Sequence, residues 1–361
     1  MSIPHFHTLK IKDITKEMPD CVSVALDITP ELKSSFEYKA GQYITFKKVI
    51  QDEEVRRSYS LCSSPLEDDF RVAIKQIKGG LFSTFANQDL KIGDEVEVMT
   101  PMGNFTSEVN ATAKRNYLAF AAGSGITPML SLIKTILWSE PQSTFTLIYG
   151  NQSIQTILFK EELEALKNKY MERFQIVHIL SRERMETELN YGRINAEKCE
   201  QLSTHLIDIQ QMDQFFICGP EEMILGVKDY LIQKGVDEHR IRFELFTNSS
   251  STKARKAYQE AHQEESEKMC QLTIKVDDRS FDLQLAYGGD SILDAALKSG
   301  ADLPFACKGG VCCTCRAKVV EGTVDMEVNY ALEKDEVARG YVLTCQAHPT
   351  SDRVVIDFDV R

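Results

Sequence analysis

Four cysteines near the C-terminus carry the most specific chemical signal in this 361-residue chain. Cys307, Cys312 and Cys315 have the spacing C-x4-C-x2-C, and Cys345 supplies a fourth thiol downstream. This is the ligand spacing of a plant-type [2Fe–2S] cluster, which needs three thiolates on one tight loop. The two glycines within the loop allow it to turn backbone N–H groups toward the sulfur atoms. The pattern therefore predicts a two-iron cluster held by these four cysteines.

Two other uses of clustered cysteines fit the spacing less well. A structural zinc site favours two C-x2-C pairs, and Cys345 has no near neighbour in sequence to complete the second pair. A redox dithiol would use only two of the cysteines. Cys313 lies inside the loop but out of register, and we expect it to be a spare thiol near the cluster. A non-catalytic redox-sensing or metal-binding module is the alternative from another functional class.

A second group of motifs lies in the N-terminal third of the chain. Residues 57–60 read Arg-Ser-Tyr-Ser at the start of a predicted strand, and residues 79–83 read Gly-Gly-Leu-Phe-Ser before a predicted helix. A glycine turn that leads into a helix presents free N–H groups, which suit a pyrophosphate. Alone, the first motif would equally suit an ordinary strand with Arg57 outward and Tyr59 inward. Together the two motifs indicate a site for a phosphate-containing cofactor.

Two further turns follow predicted strands of the middle region. Residues 123–128, Gly-Ser-Gly-Ile-Thr-Pro, lie between a strand and a helix, where a pyrophosphate can meet a helix N-terminus. They are not the full dinucleotide fingerprint, because Pro128 stands where that pattern continues toward its third glycine. Residues 218–220, Cys-Gly-Pro, follow the run QFFI, and Cys218 alone would suit a small buried residue at a strand end. Neither turn is specific by itself.

The elements that must position these motifs change character along the chain. Residues 6–105 contain short alternating strands broken by Gly, Pro and Asp, which is typical of an antiparallel barrel. From about Asn116, apolar strands alternate with helices, which predicts βαβ units and a parallel sheet. A polar stretch then suggests a linker or an exposed helix, followed by a hairpin and a helix capped at Ser291. The predicted units are a barrel domain at 1–108, an α/β domain at 109–246, a linker at 247–270 and a cluster domain at 271–361.

Composition narrows the range of partners and locations. The net charge of −12 argues against a nucleic acid or an anionic membrane surface as partner. No apolar run approaches the ~20 residues that span a bilayer, and the N-terminus lacks the plan of a signal peptide. We therefore expect a cytoplasmic protein without membrane contact. From Gln271 onward 15 residues are acidic and 10 are basic, an excess that could steer a basic partner surface.

The barrel and α/β motifs, taken in this order, resemble those of the ferredoxin–NADP reductase superfamily, whose flavin signature is R-x-Y-S. The resemblance implies that FAD is the flavin cofactor and that Arg57 pairs with its pyrophosphate. It also implies that Tyr59 stacks on the isoalloxazine ring and that Ser60 lies near the flavin N5, which accepts hydride. Further FAD contacts implied by the resemblance are Ser58, Lys75, Gly80, Leu81, Phe82 and Ser83.

The same resemblance implies that the nicotinamide cofactor binds at the two turns of the middle region. Ser181 and Arg182 resemble the pair that holds the 2′-phosphate of NADPH, although Gln152 stands where many NADP-using relatives carry Arg. We therefore expect NADPH, with NADH possible. The implied contacts on this side are Gly123, Ser124, Gly125, Ile126, Thr127, Pro128, Ser181, Arg182, Cys218, Gly219, Pro220 and Phe246. The implied catalytic residues are Ser60, Cys218 beside the hydride-donating carbon, and Glu244 near the flavin.

The C-terminal region resembles the reductase-subunit family of 1,2-phenylacetyl-CoA epoxidase, most densely at residues 303–322, LPFACKGGVCCTCRAKVVEG. This resemblance implies a β-grasp-like, plant-type ferredoxin domain. It implies that hydride passes from NADPH to FAD, and that single electrons then pass through the cluster to a separate di-iron oxygenase that epoxidises phenylacetyl-CoA. The chain itself shows none of the Glu and Glu-x-x-His helix pattern of a di-iron bundle. Another oxygenase or a hybrid-cluster protein is the nearest alternative acceptor.

Overall fold

The computed structural model describes residues 5–185, 187–246, 251–262 and 268–360. These residues form an antiparallel barrel, a parallel α/β sheet and a second β-rich unit, in the order that the sequence predicts. The boundaries between the units stay a prediction. None of the helices formed by the described residues is long and apolar enough to cross a bilayer.

Six strands of the N-terminal region form an antiparallel sheet that closes on itself. They are β1 (Phe6–Met18), β2 (Cys21–Asp27), β3 (Tyr43–Ile50), β4 (Glu53–Ser60), β5 (Arg71–Lys75) and β6 (Glu95–Met102), with helix α1 (Leu81–Gln88) between the last two. Their order is β4-β3-β6-β1-β2-β5, and a bridge between Leu61 and Val72 joins the two edges. On β1, Leu9 and Ile11 are buried while Lys10 is exposed, which is the period-two pattern of a half-buried strand. The predicted barrel is confirmed.

The middle region forms a five-stranded parallel sheet flanked by helices. Its elements are β7 (Asn116–Ala122), α2 (Ile126–Ser139), β8 (Thr144–Asn151), α3 (Lys160–Lys169), β9 (Phe174–Leu180), α4 (Ala196–His205), β10 (Gln214–Cys218), α5 (Glu221–Gln233) and β11 (Ile241–Glu244). The order is β11-β10-β7-β8-β9. The interior of β7 is fully buried, as expected for a parallel strand covered on both faces. The strand order reverses between β7 and β10, and such sheets bind ligands beyond the carboxyl ends of the strands at this point.

The stretch predicted as a linker contains a helix, α6 (Ser251–Ala261). Its Tyr258 ring stacks on His348 of the C-terminal unit with ring centroids 4.4 Å apart. Its Arg255 pairs with Asp290 and Asp294 at 3.6 and 3.2 Å. Composition left a flexible linker and an exposed helix open for this stretch, and at 251–261 the structure has the helix, held against the C-terminal unit. The remaining predicted linker residues at 247–250 and 263–267 lie outside the described residues.

The described residues of the C-terminal unit form a mixed sheet, a two-stranded sheet and two short helices. Its elements are β12 (Met269–Val276), β13 (Arg279–Ala286), α7 (Ile292–Lys298), β14 (Arg316–Glu321), β15 (Val324–Met326), α8 (Lys334–Ala338), β16 (Tyr341–Leu343), β17 (Ala347–Pro349) and β18 (Arg353–Asp357). The main sheet has the order β13-β12-β18-β14-β16, and β15 pairs with β17. Ser291 caps α7 by accepting the Asp294 N–H at 3.2 Å, and Gly300 follows the helix with φ 87°. Strand β12 begins at Met269, two residues before the predicted start of this unit.

Candidate cofactor sites

The four cysteines predicted as cluster ligands come together between α7 and β17. The sulfur atoms of Cys307 and Cys312 lie 3.1 Å apart, and the Cys315 thiol is hydrogen-bonded to Cys345. Within the described residues, no three His, Cys, Asp or Glu side chains form a group that could hold a single metal ion. The two pairs lie close enough for Cys307, Cys312 and Cys345 all to act electrostatically on Cys315, and two adjacent pairs of thiols suit two irons bridged by sulfide.

Hydrogen-bond donors lie next to two of these sulfur atoms, where they would stabilise a charged iron–sulfur cluster. The Gly309 N–H donates to the Cys307 sulfur at 3.3 Å. The Gln346 side-chain amide lies 3.6 Å from the Cys345 sulfur, and it also donates to the Lys308 carbonyl at 3.1 Å. The Gln346 amide thereby connects the loop that carries three ligands to the segment that carries the fourth.

The conformation of the ligand loop depends on its backbone. Lys308 and Gly310 have φ values of 51° and 73°, in the left-handed region that favours glycine. A Cβ at Gly310 would lie 2.9 Å from the Val328 side chain, so the loop requires glycine there. The hydrogen bond from Cys312 lowers the pKa of Cys307. Iron binding would displace the protons of these thiols, since the ligands are thiolates.

Cys313, the predicted spare thiol, contacts the barrel through Tyr43 on β3. The Tyr43 hydroxyl accepts the Cys313 N–H at 3.2 Å and lies 3.5 Å from the Cys313 sulfur. It also lies 3.2 Å from the Thr314 hydroxyl, and the Tyr43 side chain is buried. A Cβ at Gly103 would come within 3.1 Å of the Tyr43 ring. Tyr43 was not among the predicted site residues, because nothing in the local sequence around it marks a partner 270 residues away.

The Arg-Ser-Tyr-Ser motif lies at the end of β4, beside the start of α1. The Tyr59 ring packs on Phe82 with centroids 5.7 Å apart, so this motif and the predicted phosphate cradle are neighbours. Ser58 is hydrogen-bonded to the Thr45 hydroxyl at 3.0 Å. Arg57 is exposed, and its guanidinium donates to the Arg56 carbonyl at 2.7 Å. An exposed guanidinium beside a helix N-terminus fits a pyrophosphate.

The glycine turn before α1 provides free backbone donors. Gly79 has φ 76°, and α1 has no side-chain cap at its N-terminus, so its first N–H groups can bind phosphate oxygens. Ser83 accepts the Ile77 N–H at 3.1 Å and closes the turn. A Cβ at Gly80 would lie 2.6 Å from the Ser83 hydroxyl, so glycine keeps this turn open. Lys75, predicted as a further flavin contact, lies 3.6 Å from the Asp20 carboxylate.

The two turns predicted to bind the nicotinamide cofactor meet at the reversal point of the parallel sheet. Strand β10 pairs with β7 so that Cys218 lies beside Ala121. A Cβ at Gly125 would lie 2.1 Å from the Cys218 carbonyl oxygen, so only glycine permits this approach. The Tyr149 hydroxyl donates to the Gly123 carbonyl at 3.0 Å and so fixes the start of the turn at 123–128. Residues 123–128 and 218–220 therefore form one surface.

The three residues predicted as catalytic converge from three different strands. Ser60 at the end of β4 donates to the Glu244 carboxylate at 2.9 Å. Glu244 at the end of β11 pairs with Cys218 on β10. Burial raises the pKa of Glu244 to about 8, although the hydrogen bond from Ser60 opposes this shift. Burial also raises the pKa of Cys218, so its thiol is neutral at pH 7. Phe246 follows β11 and is exposed.

A cleft of about 810 Å³ connects this convergence point with the cluster loop, and its walls include Glu244, Tyr43 and Cys312. Tyr43 is also the direct cross-strand neighbour of Ser60 in the barrel. Adjacent residues in an antiparallel pair have Cα atoms about 4.5–5.5 Å apart. The predicted flavin site and the predicted cluster are therefore adjacent within one chain.

The residues predicted to hold the 2′-phosphate lie together at the carboxyl ends of β8 and β9. The Ser181 N–H donates to the Asn151 carbonyl, and the Arg182 N–H donates to the Gln152 carbonyl, each at 2.9 Å. Arg182 is exposed. These residues follow strands whose carboxyl ends lie on the same side of the sheet as the turn at 123–128.

Three family matches agree with the three units. Residues 8–107 match the oxidoreductase FAD-binding domain, residues 120–229 the oxidoreductase NAD-binding domain, and residues 274–350 the 2Fe-2S iron-sulfur cluster binding domain. These family matches confirm the predicted cofactors FAD, NAD(P)H and [2Fe–2S]. The choice between NADPH and NADH, and the roles of individual residues, stay predictions.

Known proteins share the whole length of this chain. It is 42% identical over 356 residues to a subunit of 1,2-phenylacetyl-CoA epoxidase from Escherichia coli strain K12, covering 99% of this chain and 98% of that protein. It is 30% identical over 354 residues to the ferredoxin reductase component of 3-ketosteroid-9-alpha-monooxygenase from Rhodococcus rhodochrous, covering 97% and 96%.

Solved structures share the fold. Phthalate dioxygenase reductase superposes with a TM-score of 0.56 at 21% identity, covering 98% of both chains. An intact type IV self-sufficient cytochrome P450 monooxygenase superposes with a TM-score of 0.71 at 19% identity, covering 97% of this chain and 41% of that one. The three-unit arrangement therefore occurs both as a separate reductase and as part of a longer chain.

Proposed function

Because the chain belongs to the family of NAD(P)H-dependent flavoprotein reductases with a C-terminal [2Fe–2S] domain, which includes the matching 1,2-phenylacetyl-CoA epoxidase component, we propose that its acceptor is the oxygenase component of such an epoxidase. The chain is an electron-transfer reductase for an oxygenase. The observation that carries the finer proposal is the 42% identity to the epoxidase component, against 30% to the ketosteroid reductase component.

The cofactors supply the redox chemistry and the chain binds and orients them. When bound, FAD accepts hydride from NADPH and releases electrons singly to the cluster, which passes them to the acceptor. Arg57 would bind the pyrophosphate of FAD together with the free N–H groups at the start of α1. Tyr59, supported by Phe82, would hold the flavin ring.

Ser60 and Glu244 would control the proton near the flavin N5. With a pKa of about 8, Glu244 holds its proton at pH 7 and accepts the hydrogen bond from Ser60. A neutral carboxyl places no negative charge next to the position that receives hydride. Cys218, a small and neutral thiol on the adjacent strand, would leave room for the nicotinamide ring.

The turns at 123–128 and 218–220 would bind the nicotinamide cofactor at the reversal point of the sheet. Arg182 is exposed near the carboxyl ends of β8 and β9, where its guanidinium would pair with a 2′-phosphate. This supports NADPH as the preferred donor. Gln152 would contribute hydrogen bonds to the same phosphate but no charge.

Reconstitution with purified oxygenase components tests the proposed acceptor. NADPH oxidation and product formation are measured with the oxygenase component of 1,2-phenylacetyl-CoA epoxidase plus phenylacetyl-CoA, and with that of 3-ketosteroid-9-alpha-monooxygenase plus its steroid. The proposal predicts coupled turnover with the first at a rate at least about tenfold above the second. Equal rates, or faster turnover with the ketosteroid system, would contradict it.

A further inference from the structure

One edge of the cluster loop is closed by the other two units. Tyr43 of the barrel is hydrogen-bonded to Cys313 and Thr314, as described above. On the same edge, Val311 and Tyr330 pack against the hydrophobic core of the α/β domain. Within the loop, Gly310 is buried and Val311 is half-buried against this core.

Polar contacts continue this closed edge beyond the loop. Arg242 on β11 forms an ion pair with Glu333 just before α8. Asn104, which follows the barrel strand β6, donates to the Glu336 carboxylate at 3.1 Å. Lys334 pairs with Glu238 of the α/β domain at 2.5 Å. A partner protein could reach this edge only by displacing these contacts.

The opposite edge of the loop is open. Cys307 is the one predicted ligand that is not buried, whereas Cys312, Cys315 and Cys345 are at most 6% exposed. The adjacent Lys308 has a side chain that is 41% exposed. We call residues 307–309 the exposed edge of the cluster. The rate of electron transfer between proteins falls steeply with the distance between their redox centres. An acceptor would therefore receive electrons fastest by docking at this edge.

The charges around the exposed edge are arranged with cations outward. Lys308 pairs with Asp294 at 2.8 Å, Arg255 of α6 pairs with both Asp294 and Asp290, and Lys298 pairs with Asp290 at 2.5 Å. The Lys298 and Lys308 side chains are 68% and 41% exposed, whereas that of Asp294 is 19% exposed. Three cations thus cover two carboxylates. The local charge differs from that of the whole domain, in which acidic residues exceed basic ones by five.

We propose that electrons leave the cluster at the exposed edge, to an acceptor that docks there with an acidic surface, while the opposite edge stays packed on the barrel and the α/β domain. This inference rests on the proposed reductase function. One electron moves from the reduced cluster to the acceptor and no bond forms or breaks. The cations around Lys308 would attract carboxylates of the acceptor and align its redox centre with Cys307.

The test reverses one charge and measures how closely an anion approaches the cluster. Lys308→Glu is compared with wild type and with Lys275→Glu, a control on β12 whose ladder neighbours are Ser280 and Asp357. The reduced cluster's electron paramagnetic resonance signal is recorded with the anionic dysprosium–EDTA complex, which speeds its relaxation according to distance. At low ionic strength, Lys308→Glu should reduce this relaxation effect about threefold or more, and added salt should abolish the difference.

Two electron acceptors of opposite charge provide a second readout. The protein is reduced anaerobically, mixed with ferricyanide or with the basic protein cytochrome c, and cluster reoxidation is followed by stopped flow. Lys308→Glu should slow reoxidation by ferricyanide and speed reoxidation by cytochrome c, each about threefold, whereas Lys275→Glu should change neither. If Lys308→Glu fails to assemble its cluster, Lys298→Glu at the end of α7 takes its place.

The outcomes separate the inference from the function on which it rests. Unchanged relaxation and unchanged reoxidation in Lys308→Glu, or equal effects in Lys275→Glu, would overturn the exposed edge as the exit. A wild-type protein whose cluster is not reduced by NADPH would overturn the reductase function itself. Normal cluster reduction by NADPH in all variants, together with opposite effects on the two acceptors, would support both.

Discussion

Cys312 and Cys313 are adjacent cysteines of the cluster loop, but their side chains have different partners. Cys312 lies beside Cys307 in the ligand set, whereas Cys313 faces Tyr43 of the barrel. The C-x4-C-x2-C spacing predicted this difference, because it excludes Cys313 from the ligand register. It did not predict the partner of Cys313. Sequence spacing thus identifies ligands, while the use of an adjacent thiol depends on the fold.

Replacing each of these thiols separately tests the assignment. In Cys312→Ser the cluster should be lost, because a hydroxyl is a poor iron ligand, while flavin reduction by NADPH should continue at the wild-type rate. Cys313→Ser is the matched control and should retain iron and acid-labile sulfide at wild-type content. Visible spectra and iron analysis give the readout. Equal cluster loss in both variants would contradict the ligand set.

The buried carboxyl of Glu244 predicts a pH dependence of stability. Its folded pKa of about 8 exceeds the ordinary value of 4.5, so between these values the folded state binds a proton that the unfolded state releases. The stability from this group is complete below pH 4.5 and is lost as pH rises toward 8. The slope is at most about 1.4 kcal/mol per pH unit. Because the Glu244 residue as a whole is half-buried, solvent screening narrows the pH range over which this slope applies.

Chemical denaturation at pH 5, 6, 7 and 8 measures this slope. In Glu244→Gln the decrease in unfolding free energy over this range should be smaller than in wild type. The conservative control Glu222→Gln, in the first turn of α5, should leave the slope unchanged. An identical pH dependence in wild type and Glu244→Gln would show that this carboxyl is charged in the folded protein.

The proposed preference for NADPH depends on Arg182. Arg182→Ala should raise the KM for NADPH about tenfold or more, because a charge-assisted hydrogen bond contributes roughly 1.5–3 kcal/mol. The KM for NADH should stay within about twofold, since NADH has no 2′-phosphate. Steady-state kinetics with both donors measure this. An equal rise for both donors would assign Arg182 a structural role instead.

At the scale of elements, the sequence predicted the barrel, the parallel sheet and the helix capped at Ser291, since each depends on local periodicity and turn residues. It left α6 undecided, because polar residues such as those at 251–261 suit a linker and an exposed helix equally. The packing of α6 through Tyr258 and Arg255 depends on partners about 35 to 90 residues away in sequence. Such distant contacts have no signature in a local pattern.

The close contact between the turn after β7 and the end of β10 can be tested by substitution. Gly125→Ala would place a Cβ 2.1 Å from the Cys218 carbonyl oxygen and push the two turns apart. We expect weaker NADPH binding and lower stability, with FAD content unchanged.

Gly226→Ala in α5 is the matched control, since a Cβ there has nothing within 4 Å. It should stabilise the protein by about 0.8–1 kcal/mol, as expected within a helix. NADPH titration and thermal unfolding measure both effects, and similar behaviour of the two variants would contradict the close contact.

Across the whole molecule, two neighbouring barrel strands, β3 and β4, contact the cluster domain. Tyr43 on β3 is bonded to the cluster loop, and Arg56 on β4 stacks on Phe305, with its guanidinium 3.9 Å from the ring centroid. Arg56 also approaches the Leu303 carbonyl at 3.4 Å. These contacts join the strands of the predicted flavin site to the cluster loop and to the segment before Cys307. They connect the predicted flavin site and the predicted cluster site within one chain. The order of the family motifs along the sequence implies that both sites are present, but it does not show where they meet.

In the proposed relay, one molecule passes electrons from its own flavin to its own cluster. Anaerobic stopped-flow reduction by saturating NADPH, followed at the flavin and cluster bands over a tenfold range of protein concentration, tests it most directly. For an internal relay, flavin bleaching should precede cluster bleaching, and the rate constant for cluster reduction should not change with protein concentration. A cluster rate that rises in proportion to concentration, or a cluster that stays oxidised while the flavin is reduced, would contradict the internal relay.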